Sequence, residues 1–217
     1  VMTHGDDVGI VVPPRLAPSQ VVVVPIWRKE EEGVAVKEKA DQVAARLRDI
    51  GVRVKLDARE HLTPGAKFWE WERKGVPFRI EIGPKDLAKE QVVMVRRVTM
   101  DGQNRKEFLP EAQAIAEMPK ELDAFQAALL QQARERREAN SYRGVSDLSQ
   151  LKEIMDGPGG FVYTGWNGDP EVEEMVKEET KATIRVIPDE EFRSETPPEK
   201  CIGGGEAKME IVLSKAY

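Results

Sequence analysis

The chain contains few of the residues that most often carry covalent or metal chemistry. Its 217 residues include one cysteine, Cys201, and two histidines, His4 and His61. A single cysteine excludes an internal disulfide and suits a reducing compartment. The sequence suggests no Ser/His or Cys/His pair that would activate a nucleophile, and the phosphate-binding pattern GxxxxGK(S/T) is absent. Nucleophilic catalysis and P-loop chemistry are therefore poorly supported.

Long apolar runs are also missing. The run VVVVPI at 21–26 is far shorter than the roughly 18 residues of a membrane span and contains Pro25. The first ten residues, VMTHGDDVGI, lack the basic region and apolar core of a signal peptide. They lead directly into strand-like sequence, so we expect the chain to be a fragment of a longer protein. We expect no membrane partner.

The charge of the chain is unevenly distributed. The net charge is -6, which argues mildly against non-specific nucleic-acid binding. Residues 1–110 carry 20 basic and 17 acidic side chains, a net of +3, whereas residues 111–217 carry 13 and 22, a net of -9. Only the first half is thus a plausible partner for phosphate.

Strand and helix patterns alternate along the first 120 residues. This alternation predicts an α/β domain of two or three layers with a mainly parallel or mixed sheet. The predicted elements are strands at 21–27, 52–57, 77–82 and 91–97, helices at 34–50 and from Thr63-Pro64 to about Gly75, and two helices broken near Pro119.

A second, smaller α/β unit is predicted after residue 140. Two helical patterns, SDLSQLKEIM and PEVEEMVKEET, alternate with the strand patterns GFVYTG, ATIRVI and AKMEIVLSKAY. We expect its core to contain Leu148, Leu151, Phe161, Val176, Ile184 and Ile211.

Two short segments could be mistaken for metal or catalytic sites. In THGDD, residues 3–7, a lone His beside two Asp is more typical of a turn. In CIGGGEAK, residues 201–208, one cysteine cannot supply the four soft ligands of a tetrahedral zinc site. Neither segment therefore predicts a metal.

A stretch of interleaved aromatic and charged residues, TPGAKFWEWERKGVPFRIEIGPKD, covers residues 63–86. A guanine with an exposed Watson–Crick edge presents two donors, which a carboxylate matches, and the O6 acceptor, which Lys or Arg matches. Single-stranded RNA is often recognised in this way, with help from aromatic stacking. Glu72 and Asp86 are candidate carboxylates here, and Arg79 and Lys85 are candidate cations.

The alternative for this stretch is an ordinary charged surface. Glu70 and Lys74 are spaced for an i,i+4 pair, and the remaining charges would form surface pairs of little energetic value. Phe68 and Trp71, three residues apart, would then face the core.

The same stretch, with MTHGDDVGIVVPPRLAPSQVVVVPI near the start and SKAY at the end, resembles prolyl-tRNA synthetase of the archaeal/eukaryote-type branch. The resemblance covers essentially the whole chain. It implies that residues 1–16 are the end of a class II catalytic domain and that 17–120 form the anticodon-binding domain, a mixed five-stranded sheet flanked by helices. Residues 121–140 would be a linking helix and 141–217 a small C-terminal domain.

The resemblance also implies a function and its partners. The parent enzyme would be a cytoplasmic homodimer that ligates proline to proline tRNA with ATP and Mg, and neither DNA nor a membrane would be a partner. The catalytic domain would lie upstream, so this segment should be inactive alone. Proline anticodons share two adjacent guanines, and the matching anticodon contacts are Glu72, Arg79, Lys85 and Asp86, with Lys67 and Arg73 as weaker candidates near phosphates.

Two further features of the family concern the C-terminal domain. Many relatives bind zinc through two cysteine pairs, which here correspond to Asn167 with Val172 and to Cys201 with Gly204. Because one ligand of four remains, we expect the metal site to be lost. Tyr217 resembles a C-terminal tyrosine whose free carboxylate reaches toward the active site.

Two other functional classes compete with this interpretation. A free-standing α/β protein-interaction module would use the acidic second half of the chain. A small-molecule enzyme at the sheet edge is the least supported, because phosphate loops and catalytic pairs are missing.

Overall fold

A mixed five-stranded sheet forms the centre of the first of two compact units. The computed structural model describes residues 3–99 and 104–215, and the chain divides into units at residues 133 and 134. The strands of the first unit are β1 (Val21–Pro25), β2 (Val54–Leu56), β3 (Phe78–Ile82), β4 (Gln91–Arg96) and β5 (Lys106–Pro110). Their order is β2-β1-β3-β4-β5. β1 is parallel to β2 and β3, and the β3–β4 and β4–β5 pairs are antiparallel.

Helices flank this sheet, as the alternating pattern predicted. They are α1 (Glu30–Asp49), α2 (Pro64–Arg73), the short α3 (Pro84–Leu87) and α4 (Glu111–Ala139). The predicted α/β class and the five-stranded mixed sheet are confirmed.

The two faces of β3 have different surroundings. Phe78, Ile80 and Ile82 are fully buried in the core that α1 and α4 complete. Arg79 and Glu81 point to the opposite face, because side chains alternate along a strand. This alternation gives the sheet one apolar face and one face that carries paired charges.

The predicted break near Pro119 is wrong, since one helix runs continuously through it. Proline removes one intrahelical hydrogen bond. Here Ile115 and Met118 before it, and Leu122 and Phe125 after it, all face the core. Tertiary packing on both sides of the proline keeps a single helix axis.

The strand β5 was not predicted from the pattern. Its burial alternates, with Leu109 packed against the core and Phe108 exposed. Five residues that end in proline give a weak strand signal.

The second unit contains the two expected helices and the three expected strands, and a short strand that was not predicted, β6, completes a four-stranded sheet. Its elements are β6 (Ser141–Tyr142), α5 (Leu148–Asp156), β7 (Phe161–Trp166), α6 (Pro170–Thr180), β8 (Ala182–Val186), a 3-10 turn (Glu190–Phe192) and β9 (Met209–Lys215). The strand order is β6-β7-β9-β8. Of the predicted core residues, Phe161 is wrong: it is 39% exposed, because Val162 next to it faces the core.

None of the helices within residues 3–99 and 104–215 is both long enough and apolar enough to cross a membrane.

Replacing Phe125 with alanine should strongly destabilise the first unit. The ring is fully buried, and its centroid lies 5.6 Å from that of Phe78. Loss of a buried aromatic ring costs about 3–5 kcal/mol, measurable by urea unfolding. Leu130→Ala on the same helix is the control, because Leu130 is 50% exposed and should cost much less. Equal losses for the two variants would contradict this packing.

Candidate functional site

Arg79 lies at the centre of a row of alternating charges on the second face of the sheet. Its Nε donates to Oε1 of Glu81 at 2.9 Å, and its Nη1 lies 3.3 Å from Oε1 of Glu72. Lys106 donates to the other oxygen of Glu81 at 3.2 Å, and Arg105 donates to Glu72 at 2.5 Å. We call these five residues the ionic chain.

The ionic chain is ordered because its central members are mostly buried. The side chain of Arg79 is 11% exposed and that of Glu81 is 6% exposed. The guanidinium also lies 4.1 Å from the centroid of the Phe68 ring. Burying a charge is unfavourable without a partner, so the carboxylates on each side hold Arg79 in one orientation.

Helix α2 supplies Phe68 and Glu72 to this arrangement. Thr63 caps its first turn by accepting from the Ala66 N–H at 3.3 Å, and Pro64 follows, which confirms the predicted helix start. Gly75 ends the helix with φ of +69°, and a Cβ there would lie 2.4 Å from the Ile10 carbonyl oxygen. Glycine is therefore required at this position.

Asp57, just beyond β2, attaches α2 to the sheet. One carboxylate oxygen accepts from the Trp71 indole at 2.7 Å, and Arg59 donates to both oxygens at 2.7 and 2.8 Å. Arg59 also bonds Glu70 of α2 at 2.8 Å. Burial raises the pKa of Asp57, but the hydrogen bonds from Arg59 and Trp71 outweigh it, so the pKa lies below its ordinary value.

A cleft of about 450 Å³ lies where β1 and β3 end. Trp27, Arg28 and Lys29 line one side, and Lys85 and Asp86 of the GPKD turn line the other. The carboxyl ends of adjacent parallel strands are a common position for ligand sites in α/β sheets. Three cations, two carboxylates (Glu32 and Asp86) and an indole line this cleft, so it can match both the acceptors and the donors of an aromatic ligand.

Lys85 and Asp86 differ in what their side chains do. Asp86 accepts from the Gly83 N–H and from the Gln91 amide, each at 3.0 Å, so its carboxylate stabilises the turn. Lys85 is exposed, and among the described residues its ammonium is in no ion pair. Lys85 is therefore available to a ligand, whereas Asp86 would have to share its carboxylate.

The two weaker candidates, Lys67 and Arg73, also differ. Lys67 is 3% exposed and donates to the Asp57 carbonyl at 3.1 Å, and burial lowers its pKa. It is not presented to a phosphate. Arg73 is exposed, with its guanidinium 4.5 Å from the Trp69 ring centroid.

The charged-surface alternative accounts for some of these residues. Glu70 and Lys74 form the expected i,i+4 pair at 2.5 Å. Phe68 and Trp71 are half-buried and contact Arg79 and Asp57 rather than only the apolar core.

Sequence analysis missed Glu81, Arg105 and Lys106 of the ionic chain. The alternation FRIEI could have placed Glu81 beside Arg79, two residues apart on one face. Arg105 precedes β5 and Lys106 begins it. β5 lies near the site because of its place in the strand order, which the linear sequence pattern does not reveal.

Near the amino-terminal end, THGDD forms a turn, as expected. Asp6 accepts from the Val8 and Gly9 N–H groups at 3.0 and 3.1 Å. Arg97 donates to both carboxylate oxygens of Asp6 at 2.8 and 2.6 Å and lowers its pKa.

The four degenerate metal positions of the second unit do not fit zinc. Cys201 is the one thiol and is buried, while Asn167 uses its Oδ1 to accept from the Asp169 N–H at 2.9 Å. Val172 packs closely on Gly203: a Cβ added to Gly203 would lie only 2.7 Å from Cγ1 of Val172. Within residues 3–99 and 104–215, no three His, Cys, Asp or Glu side chains are grouped to hold a metal. Tyr217 lies outside the described residues.

Two family models match this chain. One, described as an anticodon binding domain, matches residues 20–122, and the other, described as the prolyl-tRNA synthetase C-terminal domain, matches residues 148–217. The proline–tRNA ligases of Chloroflexus aurantiacus and Rubrobacter xylanophilus are each 43% identical to it, over 100% of this chain and 44% and 43% of their own lengths. The chain therefore spans less than half the length of these relatives.

A solved structure, prolyl-tRNA synthetase from Cryptosporidium parvum complexed with L-proline and AMP, matches with a TM-score of 0.86 at 33% identity. The match covers 100% of this chain and 45% of that one. The fold and the matches define an anticodon-binding domain followed by a small C-terminal domain. The chain belongs to the prolyl-tRNA synthetase family, and the free-standing interaction module is not favoured.

Acidification should destabilise the first unit through Asp57. Its carboxyl has a lower pKa in the fold than in the unfolded chain, so its stabilisation is present above the ordinary value of 3.8 and is lost as pH falls below it. Between about pH 7 and about pH 3, the free energy of unfolding measured in urea should fall less for Asp57→Asn than for the wild type. Asp41→Asn, exposed on α1, is the control and should retain the wild-type loss. Equal losses in all three would contradict this role.

Proposed function

We propose that this chain is the tRNA-recognising part of a proline–tRNA ligase and that its first unit binds the anticodon. The observation that carries the proposal is the ionic chain, in which the Glu72 carboxylate of α2 lies beside the Arg79 guanidinium of β3. Glu72 can accept from the two donors of a guanine edge, and Arg79 can donate to its O6.

The cleft lined by Trp27 and Lys85 would bind the second guanine. Arg79 lies three residues before the end of β3, and Lys85 lies three residues after it. One strand and the turn that follows it therefore carry both cations, which would each contact one of the two guanines. Lys85 would donate to O6, and Asp86 would share its carboxylate with the base donors.

The whole-enzyme activity is also part of the proposal. A catalytic domain outside this chain would bind proline, ATP and Mg, and residues 1–16 would be its end, with 17–120, 121–140 and 141–217 as the anticodon-binding, linking and C-terminal parts. The 217 residues alone would not ligate proline. Homodimerisation and a cytoplasmic location remain predictions from the resemblance.

The chain should bind a proline anticodon stem-loop more tightly than a loop in which both guanines are adenine. Arg79→Ala should remove this preference, because a paired donor–acceptor contact is worth about 1–3 kcal/mol, a roughly 5- to 150-fold change in Kd. Fluorescence anisotropy at fixed salt measures both loops. Arg48→Ala, an exposed arginine on α1, is the control and should keep the preference.

The same measurement can also overturn the proposal. Equal binding of both loops by the chain and also by the complete synthetase would overturn base recognition. Preference in the complete synthetase alone would show that affinity requires the catalytic domain.

Lys85→Ala should weaken binding of the guanine loop and leave the adenine loop nearly unchanged, because its ammonium is free to contact a base. Lys89→Ala is the control, since Lys89 is exposed only four residues away. Both variants are compared over a salt series with the two loops. Equal weakening of both loops by Lys85→Ala, with a salt slope reduced by about 1, would assign Lys85 to a phosphate instead.

A further inference from the structure

The sheet face that carries the ionic chain continues onto β4 and β5. Lys106 pairs in register with Val95, and Phe108 pairs with Val93. Phe68 of α2 contacts Arg79 on β3, whereas the side chain of Phe108, two strands further on, is exposed, with 62% of its residue surface accessible. An aromatic ring thus lies open on the same face as the charged groups.

Exposure of one phenylalanine is ordinary on a protein surface, so a second observation is needed. Lys106 supplies it, because its ammonium lies 5.9 Å from the Phe108 ring centroid while also bonding Glu81. The order Glu72, Arg79, Glu81, Lys106 and Phe108 is therefore continuous, and the ring occupies the end of the ionic chain. A cation beside an open aromatic face is the combination that binds single-stranded nucleic acid.

The spacing of these groups favours two different nucleotides. Strands lie about 4.8 Å apart and rise about 3.3 Å per residue. Arg79 and Phe108 are separated by two strands and two residues along the register, so their Cα atoms are roughly 12 Å apart. One base cannot occupy both positions.

We propose that Phe108 is a stacking platform for an unpaired base of the anticodon loop next to the one that Arg79 and Glu72 recognise. The inference rests on the proposed function and adds a contact that does not depend on base identity, since every base has a π-face. Aromatic side chains on an open sheet face are an established way to stack RNA bases. Lys106 would neutralise the phosphate that joins the two nucleotides.

The test places 2-aminopurine, whose fluorescence is quenched by stacking, at each loop position beside the two guanines. Binding of the wild-type chain should quench one position. Phe108→Ala should abolish that quenching and raise Kd roughly 5- to 150-fold, whereas Phe108→Trp should retain both. Phe192→Ala is the matched control, because Phe192 is 50% exposed in the second unit, and it should change neither.

Three outcomes would overturn the inference. Phe108→Ala could leave affinity and quenching unchanged while Arg79→Ala still removes the guanine preference, in which case base recognition stands and stacking does not. Weaker binding by Phe108→Ala without a quenched position in the wild type would also exclude stacking and would assign the ring to a non-stacking contact with the RNA. Lack of guanine preference in both the chain and the complete synthetase would overturn both proposals. Circular dichroism of each variant excludes unfolding as the cause.

Discussion

The position of helix α2 on the sheet depends on the carboxylate of Asp57. It holds the Trp71 indole and the Arg59 guanidinium at once, and Arg59 continues to Glu70 on the same helix. Without this carboxylate the Trp71 indole would lose its acceptor and Arg59 would keep only Glu70, and an unsatisfied donor costs more than a single hydrogen bond contributes. The groups that α2 brings to the charged face of the sheet therefore depend on Asp57 and on Arg97, which donates to the Glu72 carbonyl at 2.8 Å, near the end of the helix.

A guanidinium held between two carboxylates has consequences for selectivity. Arg79 is ordered before a ligand arrives, so little rotamer entropy remains to be lost on binding. In the proposed anticodon contact, a base would have to share or replace the bond to Glu72. Guanine can do so, because its two donors satisfy the carboxylate and its O6 satisfies the arginine. Adenine presents a different edge and would leave mostly buried charges unmatched, and unmatched polar groups are the strongest source of discrimination.

The sequence was informative where signals are local. The cap at Thr63, the end of α2 near Gly75 and the apolar spacing of α1 all predicted elements that the structure contains. Features that depend on how the strands and helices are arranged in space could not be predicted from the sequence. β5 lacks a distinct pattern, so its contribution to the charged face was missed, and the packing that keeps α4 continuous through Pro119 is tertiary. Among the candidate site residues, charge and residue type alone could not distinguish Lys85, which is exposed, from Lys67, which is buried.

The contact between Val172 and Gly203 changes what the second unit requires in order to fold. Metal-stabilised domains of this size capture an ion as they fold, and their folded population follows the ion's concentration. Here the Val172 side chain packs against Gly203, and burial of apolar groups is favoured by water release. We expect the folded population of this unit to be the same with added zinc and with a chelator.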